Sequence, residues 1–418
     1  VQQANSYAIL EIGNASIRLI VAEVIAGKTN ILSAQTTPTE GMKANCIVDP
    51  TAVMNNIRKV TRMTEKFLGI QLREVVLVFA SVQSSLLPVE VSTDIQSDKR
   101  EISLDDVRSL FKKASMQVRL QHDDLLNIFP VDFIVDGING IADPKGLIAL
   151  SVTMQAIMVT APKILFYNLI NCVEQAGLSI IDVYPSFYAD AIEVLDGYEL
   201  EQGANVVNIG EDVTTISIFA DGYPRKTRVI KNGMSKVYEV LSEAYQISEK
   251  QARALVEKFG YADSISAQEI VIYHIDGREN SEEAAKSITE RELATYIQGA
   301  IQDLLNELNE VLDSFQTLGQ FTTVFTGGGT RLIGIENVIE REFSGKYRIH
   351  QNKVVGTSNM QATALLGVIP LVEQRERLFS RSEKTVKMDV TPVANKVKKP
   401  ISQKDDTFWS KVSNYFFD

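Results

Sequence analysis

The chain has 418 residues, of which 45% are hydrophobic and 23% charged, with 24 Gly and 11 Pro; this globular composition excludes collagen-like, low-complexity and wholly disordered classes, and the length calls for two lobes of α/β or α+β type. A formal net charge of −11 argues against nucleic acid as a partner, because that affinity comes from surplus Lys and Arg neutralising phosphates. Cys46 and Cys172, with His122, His274 and His350, stand far apart and lack C-x-x-C or H-x-x-x-H spacing, so no disulfide framework or metal site is expected and a reducing compartment fits.

Residues 1–6 are polar and lack the charged start and apolar run of an export signal, and no stretch nears the ~18 uninterrupted apolar residues of a membrane span. Residues 7–12 read as a buried strand, Gly13, Asn14 and Ala15 as a turn and residues 16–24 as a returning strand, which makes a hairpin. The pattern recurs: a strand over 205–209, a turn at Gly210, Glu211 and Asp212, and a strand over 213–220. Two such hairpins, each opening one half of the chain, predict an internal duplication and two facing lobes, with ligands favouring the cleft between them. Further on, an apolar strand over 321–326 runs into Gly327, Gly328 and Gly329, with a helix expected over 335–343 after Gly334. Glycines there let backbone N–H groups and a helix start approach a phosphate or an adenosine closely.

Taken in order, the two Gly-turn hairpins and the triple-Gly segment resemble the phosphate-1, phosphate-2 and adenosine motifs of the actin, Hsp70 and sugar-kinase superfamily. Its two bridging helices have counterparts at residues 184–191 and 360–367. Residues 127–146, NIFPVDFIVDGINGIADPKG, resemble the signature of the FtsA family of bacterial cell-division proteins. The resemblance implies an actin-like, ribonuclease H-like two-lobed α/β fold with an inserted small α+β domain, then a disordered linker and a C-terminal amphipathic helix. The implied boundaries are 1–81, 159–193 and 360–379 for the first lobe, 82–158 for the insert and 194–359 for the second lobe, whose small subdomain is 223–320. The linker then covers 380–404 and the terminal helix 405–418.

The same resemblance implies a site for ATP with Mg2+ at Glu11, Gly13, Asn14, Ser16 and Arg18 of the first hairpin. It adds Asn208, Gly210, Thr214 and Thr215 of the second hairpin, and Gly327, Gly328 and Gly329. The chain departs from the family at these points. Asp-Ile-Gly-Thr-Ser becomes Glu11 to Ala15, with a longer carboxylate and two hydroxyls fewer, and Asp-x-Gly-x-Gly becomes Asn208 to Asp212. Glu211 and Asp212 are expected to set negative charge where phosphate oxygens should sit, at ~4 kcal/mol for unit charges ~4 Å apart and an effective dielectric of ~20. The family's Glu-x-x-Lys pair on the adenosine side aligns with Arg253 and Val256. The expectation is a pocket that keeps its fold, binds nucleotide weakly or not at all, and has no catalytic residue; in the plain alternative, the glycines serve tight turns only.

Residues 381–404 carry seven Lys or Arg against two acids, a net of +5 that leaves −16 for the rest, and read as a flexible linker with Pro392 and Pro400. Asp405 and Asp406 can start a short helix over 407–417. At 100° per residue, Phe408, Trp409, Val412, Tyr415 and Phe416 fall within an arc of about 120°, while Lys411 lies off it. This set, Lys411 included, is expected to bind anionic membrane lipids, since the segment holds the only Trp and follows a basic linker. A helix of ~16 Å cannot span a bilayer and would lie in the interface.

The family resemblance further implies a peripheral protein on the cytoplasmic face of the membrane at the septum. It would tether FtsZ through that protein's C-terminal peptide, self-associate through its lobes and contact other division proteins. A sugar-kinase-like phosphotransferase and an actin-like adaptor of a pilus or secretion machine stand as alternatives.

Overall fold

The computed structural model describes residues 5–80, 84–117, 122–275, 286–315, 318–352, 354–357 and 360–379. These residues divide into two compact units: those within 5–202, 219–227 and 352–379 form one, and those within 203–218 and 228–351 the other.

In the first unit, strands β1 (Asn5–Ile12), β2 (Ser16–Ile25) and β3 (Lys28–Pro38) form an antiparallel meander. A small hairpin of β4 (Met42–Lys43) and β5 (Cys46–Ile47) leads to helix α1 (Pro50–Leu68). The side chain of Asp49 caps α1 by accepting from the N–H groups of Thr51 and Ala52 with Pro50 in the first turn, and Gly69, at φ 69°, ends it in the left-handed region. Strands β6 (Glu74–Phe79) and β11 (Ser179–Pro185) then add in parallel, so the sheet runs β3–β2–β1–β6–β11. Central β1 is buried from Ser6 to Ile12. That burial on both faces explains a run that does not alternate and is apolar from Tyr7 to Ile12 except at Glu11.

Between β6 and β11 the chain forms a second sheet. Strand β7 (Ser85–Asp94), helix α2 (Leu104–Gln117), strands β8 (Asp123–Val135), β9 (Ile138–Ile141) and β10 (Ser151–Pro162), and helix α3 (Lys163–Ala176) follow one another. The sheet order is β7–β10–β8–β9, antiparallel throughout. Helix α2 buries Val107, Leu110, Phe111 and Ala114 against it.

Helices α4 (Ser186–Val194) and α5 (Gly197–Gln202) follow β11, and α10 (Thr363–Leu378) returns to this unit. The bridging helices expected over 184–191 and 360–367 are thus shifted. Tyr184 and Pro185 close strand β11, since a residue before proline is driven out of the helical region, and α10 starts only at Thr363. Where α4 meets α10, a Cβ on Gly367 would stand 1.8 Å from the carbonyl oxygen of Ala189, so only glycine permits that approach. The last turn of α10 is held on three sides. Arg375 donates to Asn127 Oδ1 of β8 and lies 3.5 Å from Asp182 of β11, Tyr7 of β1 donates to Glu376 at 2.7 Å, and Phe379 packs edge-on against Phe111 of α2.

Another five-stranded sheet, most of it in the second unit, repeats the topology of the first. Strands β12 (Ala204–Ile209), β13 (Thr214–Ala220) and β14 (Tyr223–Ile230) are followed by helices α6 (Met234–Tyr245) and α7 (Glu249–Phe259). A hairpin of β15 (Val271–Ile275) and β16 (Lys286–Thr289) leads into helix α8 (Glu290–Asp313). Strand β17 (Thr322–Thr326), helix α9 (Ile335–Glu342) and strand β18 (Tyr347–Ile349) complete it. The order β14–β13–β12–β17–β18, with β17 parallel to β12 and β18 parallel to β17, matches β3–β2–β1–β6–β11 strand for strand. The predicted duplication is present as a shared topology. Its core joins Val207, Ile216 and Phe325 of the sheet to Leu241, Leu255, Ile297, Leu304 and Leu308 of the helices.

Candidate functional site

In the first unit the β1–β2 turn brings Glu11, Gly13, Asn14, Ser16 and Arg18 together. Cross-strand pairing sets Glu11 opposite Arg18, and Arg18 Nη2 lies 3.4 Å from Glu11 Oε1 while Nη1 donates to the carbonyl of Gln361. Glu11 is buried, which pushes its carboxyl pKa up, and the Arg18 charge works against that shift. The Gly13 N–H closes the turn on the Ser16 carbonyl at 3.1 Å, and a Cβ on Gly13 would come within 3.1 Å of Arg18 Nη2. Asn14 is spent inside the body: its Nδ2 donates to Asn45 Oδ1 at 2.7 Å and its Oδ1 accepts from the Asn45 N–H at 2.8 Å. Asn45 sits in the β4–β5 turn, where it and Ala44 adopt φ of 61° and 47°. The first turn is therefore latched to that hairpin.

In the second unit Asn208, Gly210, Thr214, Thr215, Gly327, Gly328 and Gly329 come together around the β12–β13 turn. The parallel register of β12 and β17 sets Asn208 beside Thr326. A Cβ on Gly327 would lie 2.3 Å from Asn208 Oδ1 and 2.5 Å from the Ile209 carbonyl oxygen, and one on Gly329 would lie 2.3 Å from Ile209 Cγ2. Two of the three glycines are thus required to pack their loop on β12. Gly328 faces open space and begins a short 3-10 turn, Gly328–Arg331, inside the loop that precedes α9. The Gly210 N–H bonds the Val213 carbonyl at 3.0 Å, and the first N–H groups of α6, from Met234 and Ser235, are taken by the carbonyls of Gly210 and Glu211 at 3.1 and 2.7 Å. Thr214 is buried and donates to the Asn232 carbonyl at 2.8 Å, and Thr215 is half-buried on β13.

The charge at this turn differs from the sequence expectation. Glu211 forms an ion pair with Arg253 of α7, whose guanidinium lies 5.0 Å over the ring of Tyr238 of α6. Burial, reinforced by Glu257, pushes the Tyr238 phenol up to about 12, so the ring stays neutral beneath the cation. Glu211 does not stand as uncompensated negative charge, because an arginine 42 positions further on, in the place of the family's adenosine-side pair, neutralises it. Val256, its companion in that comparison, is core. The sequence reading missed Asn45 and Tyr238 altogether, and no spacing signal marks either.

Several polar groups of the two turns are bonded within their own units, whereas Glu11 Oε2 and Arg18 Nε are buried without a hydrogen-bond partner. Asn14, Glu211 and the first α6 N–H groups are bonded within the chain, so these groups, as placed, do not fit the phosphate of the nucleotide that the fold implies. Among the described residues there is no cluster of three His, Cys, Asp or Glu able to hold a metal ion, and no helix is long and apolar enough to cross a membrane. Phe408, Trp409, Lys411, Val412, Tyr415 and Phe416, with the linker over 380–404, lie outside the described residues.

The β7–β10–β8–β9 sheet lies within the residues that one family model matches. A model of the SHS2 domain inserted in FTSA matches residues 83–160, and the cell division protein FtsA model matches residues 205–367. The chain belongs to the FtsA family. The Cell division protein FtsA of Bacillus subtilis is 27% identical over 381 residues, covering 90% of this chain and 85% of that protein. The FtsA of Enterococcus faecalis is 28% identical over 380 residues, covering 89% and 84%. Among solved structures, a PilM–PilN type IV pilus biogenesis complex superposes with a TM-score of 0.57 at 14% identity, over 88% of this chain and 99% of that one. MreB5 of Spiroplasma citri bound to ADP superposes with 0.51 at 13%, over 90% and 99%. These last two establish the actin-like fold. As an FtsA-family member, the chain is an actin-like cell-division protein.

Proposed function

We propose that this FtsA-family chain is a scaffold that holds FtsZ to the cytoplasmic face of the membrane at the septum, with no chemical step of its own. The observation that carries this reading is the four-stranded insert at residues 83–160, matched by a model of the SHS2 domain inserted in FTSA; it speaks against the phosphotransferase, while the pilus adaptor is set apart by the terminal aromatic segment and not by the insert. In this reading the aromatic segment 405–418 lies in the lipid interface, the second unit's helical part takes the FtsZ C-terminal peptide, and copies of the body associate with one another and with other division proteins. The packing at the end of α10 supports such a role. Phe379, the residue before the linker, is buried in the core of the insert together with Leu378, so force on the tail would enter a packed core. One short amphipathic helix binds reversibly, whereas an assembly of linked copies gains avidity of ~10² or more.

The test is co-sedimentation of the full chain with phosphatidylglycerol vesicles, alone and with FtsZ. The full chain should pellet and carry FtsZ with it. The Trp409→Glu, Phe416→Glu double variant should stay in the supernatant, and an FtsZ lacking its C-terminal peptide should not be recruited. A double variant that pellets as the unaltered chain does would refute the tail's role.

A further inference from the structure

In both units an arginine of the chain occupies the turn that carries an acidic side chain. Arg18 lies across Gly13, pairs with buried Glu11 and is fixed at its other nitrogen by the carbonyl of Gln361. Arg253 pairs with Glu211, whose side chain is only 12% exposed, while the Tyr238 ring supports the guanidinium from below. The second turn is also tied to α6 by two backbone bonds and to β14's end by the Thr214–Asn232 bond. A phosphate chain bound at such a turn would normally supply negative charge for a nearby cation and acceptors for the turn and helix N–H groups. Here the Glu211 carboxylate and the Gly210 and Glu211 carbonyls supply both.

We infer that the Glu211–Arg253 pair takes the place of bound phosphate at the β12–β13 turn, so that this unit is ordered without nucleotide and the protein assembles independently of ATP. Two charges brought together in a half-desolvated site stabilise each other only as a pair. An incoming triphosphate would have to break that pair, meet the carboxylate, and find the α6 N–H groups already taken. The inference extends the scaffold reading, on which only its assembly arm depends.

Calorimetry on the full chain with Mg-ATP and with inorganic pyrophosphate is the direct test. The unaltered protein should give no binding up to about millimolar ligand. Glu211→Gln keeps the shape, removes the charge and leaves Arg253 without its counter-ion; pyrophosphate should then bind at least about tenfold more tightly than to the unaltered chain, the size expected for a released charge-assisted contact. Arg253→Gln should lower the melting temperature and gain no affinity, and the Glu211→Gln, Arg253→Gln double variant should recover part of that loss, as coupled partners do. Micromolar Mg-ATP affinity of the unaltered chain, or a Glu211→Gln variant that binds pyrophosphate no better, would overturn the inference. In the assembly arm, vesicle pelleting should be equal within about twofold with Mg-ATP and after apyrase with EDTA; loss of pelleting after apyrase also overturns it. Failure to pellet in both conditions would instead refute the scaffold reading, and the calorimetry would still decide whether the ion pair excludes phosphate.

Discussion

Arg375 offers the sharpest test of how the first unit is held together. It lies in the last turns of α10, 7% exposed, with Nη1 on Asn127 Oδ1 and Nε 3.5 Å from Asp182 Oδ2, and Asp182 is itself 8% exposed. Arg375→Met keeps most of the stem's packing and deletes the charge. What remains is a carboxylate on β11 and an amide oxygen on β8 without the guanidinium, in a site where water enters poorly. Removing one partner of a buried pair costs ~3–5 kcal/mol, more than the pair's net worth, because the abandoned charge keeps its desolvation penalty. At roughly 2–4 °C per kcal/mol for a domain of this class, the melting temperature should fall by roughly 6–20 °C. Asp182→Asn in the Arg375→Met background removes the stranded charge and should return at least ~1–2 kcal/mol, a coupling that a cycle of urea titrations resolves. A single variant within ~1 kcal/mol of the unaltered chain would refute the reasoning and show that water reaches Asp182.

Three further outcomes follow from individual groups. Asp263 is buried, and hydrogen bonds from Ser266, Asn337, Arg341 and the Ile265 N–H outweigh that burial and hold its pKa at about 2. Its contribution is therefore complete above the ordinary aspartate range and lost as pH falls toward 2, and Asp263→Asn should cost ~1–3 kcal/mol at pH 7 and flatten the acid limb of the stability curve. Glu193 of α4 shows the opposite sign: burial pushes it up to about 7, so the folded state holds a proton that the unfolded state has released, and stability should decline from pH 5 to pH 8. Glu193→Gln should remove most of that slope and raise stability at pH 8 by ~1–3 kcal/mol, measured by urea unfolding at several pH values. Gly367→Ala gains ~1 kcal/mol of helix propensity but drives a Cβ into the Ala189 carbonyl, so a net loss of ~1–3 kcal/mol is expected, and a rise in melting temperature would refute the close approach.

The fold was legible where short-range physics decides it. Residues 7–12 form a strand because their side chains are buried on both faces, and a run bounded by Gly13 that is apolar at every position but Glu11 announces that condition. Residues 205–209 and 321–326 are also largely buried, although Asn and Thr interrupt their apolar runs, and the recurrence of the two hairpins revealed the duplication now visible in the two matching sheets. Helix starts were less legible than they could have been. Pro185 forces Tyr184 into extended backbone, a local signal that places the start of α4 two residues later than expected. By contrast, α10 runs on to Leu378 with Pro370 inside it. Its burial against α4, β1 and the insert outweighs a residue that, on propensity alone, would have ended it.

The site was harder to read because a residue type does not say which way a side chain turns. Glu211 and Asp212 set the second turn apart in the sequence, but the expected repulsion applies only where their charges point toward a ligand. Its neutralising partner lies on α7, and only the packing of α6 and α7 on the sheet brings Arg253 over Tyr238 to meet it. Asn14 shows the same effect at the first turn, where an amide in place of a hydroxyl became a latch to Asn45 and ceased to be a donor for phosphate. Gly327 and Gly329 make the converse point. They match the adenosine motif by position, yet Asn208 and Ile209 leave no room for any side chain there, so close packing of β12 against its neighbour is enough to demand them. Packing alone is thus enough to demand glycine at these two positions, and in this chain it is the charged residues beside them that bear on nucleotide.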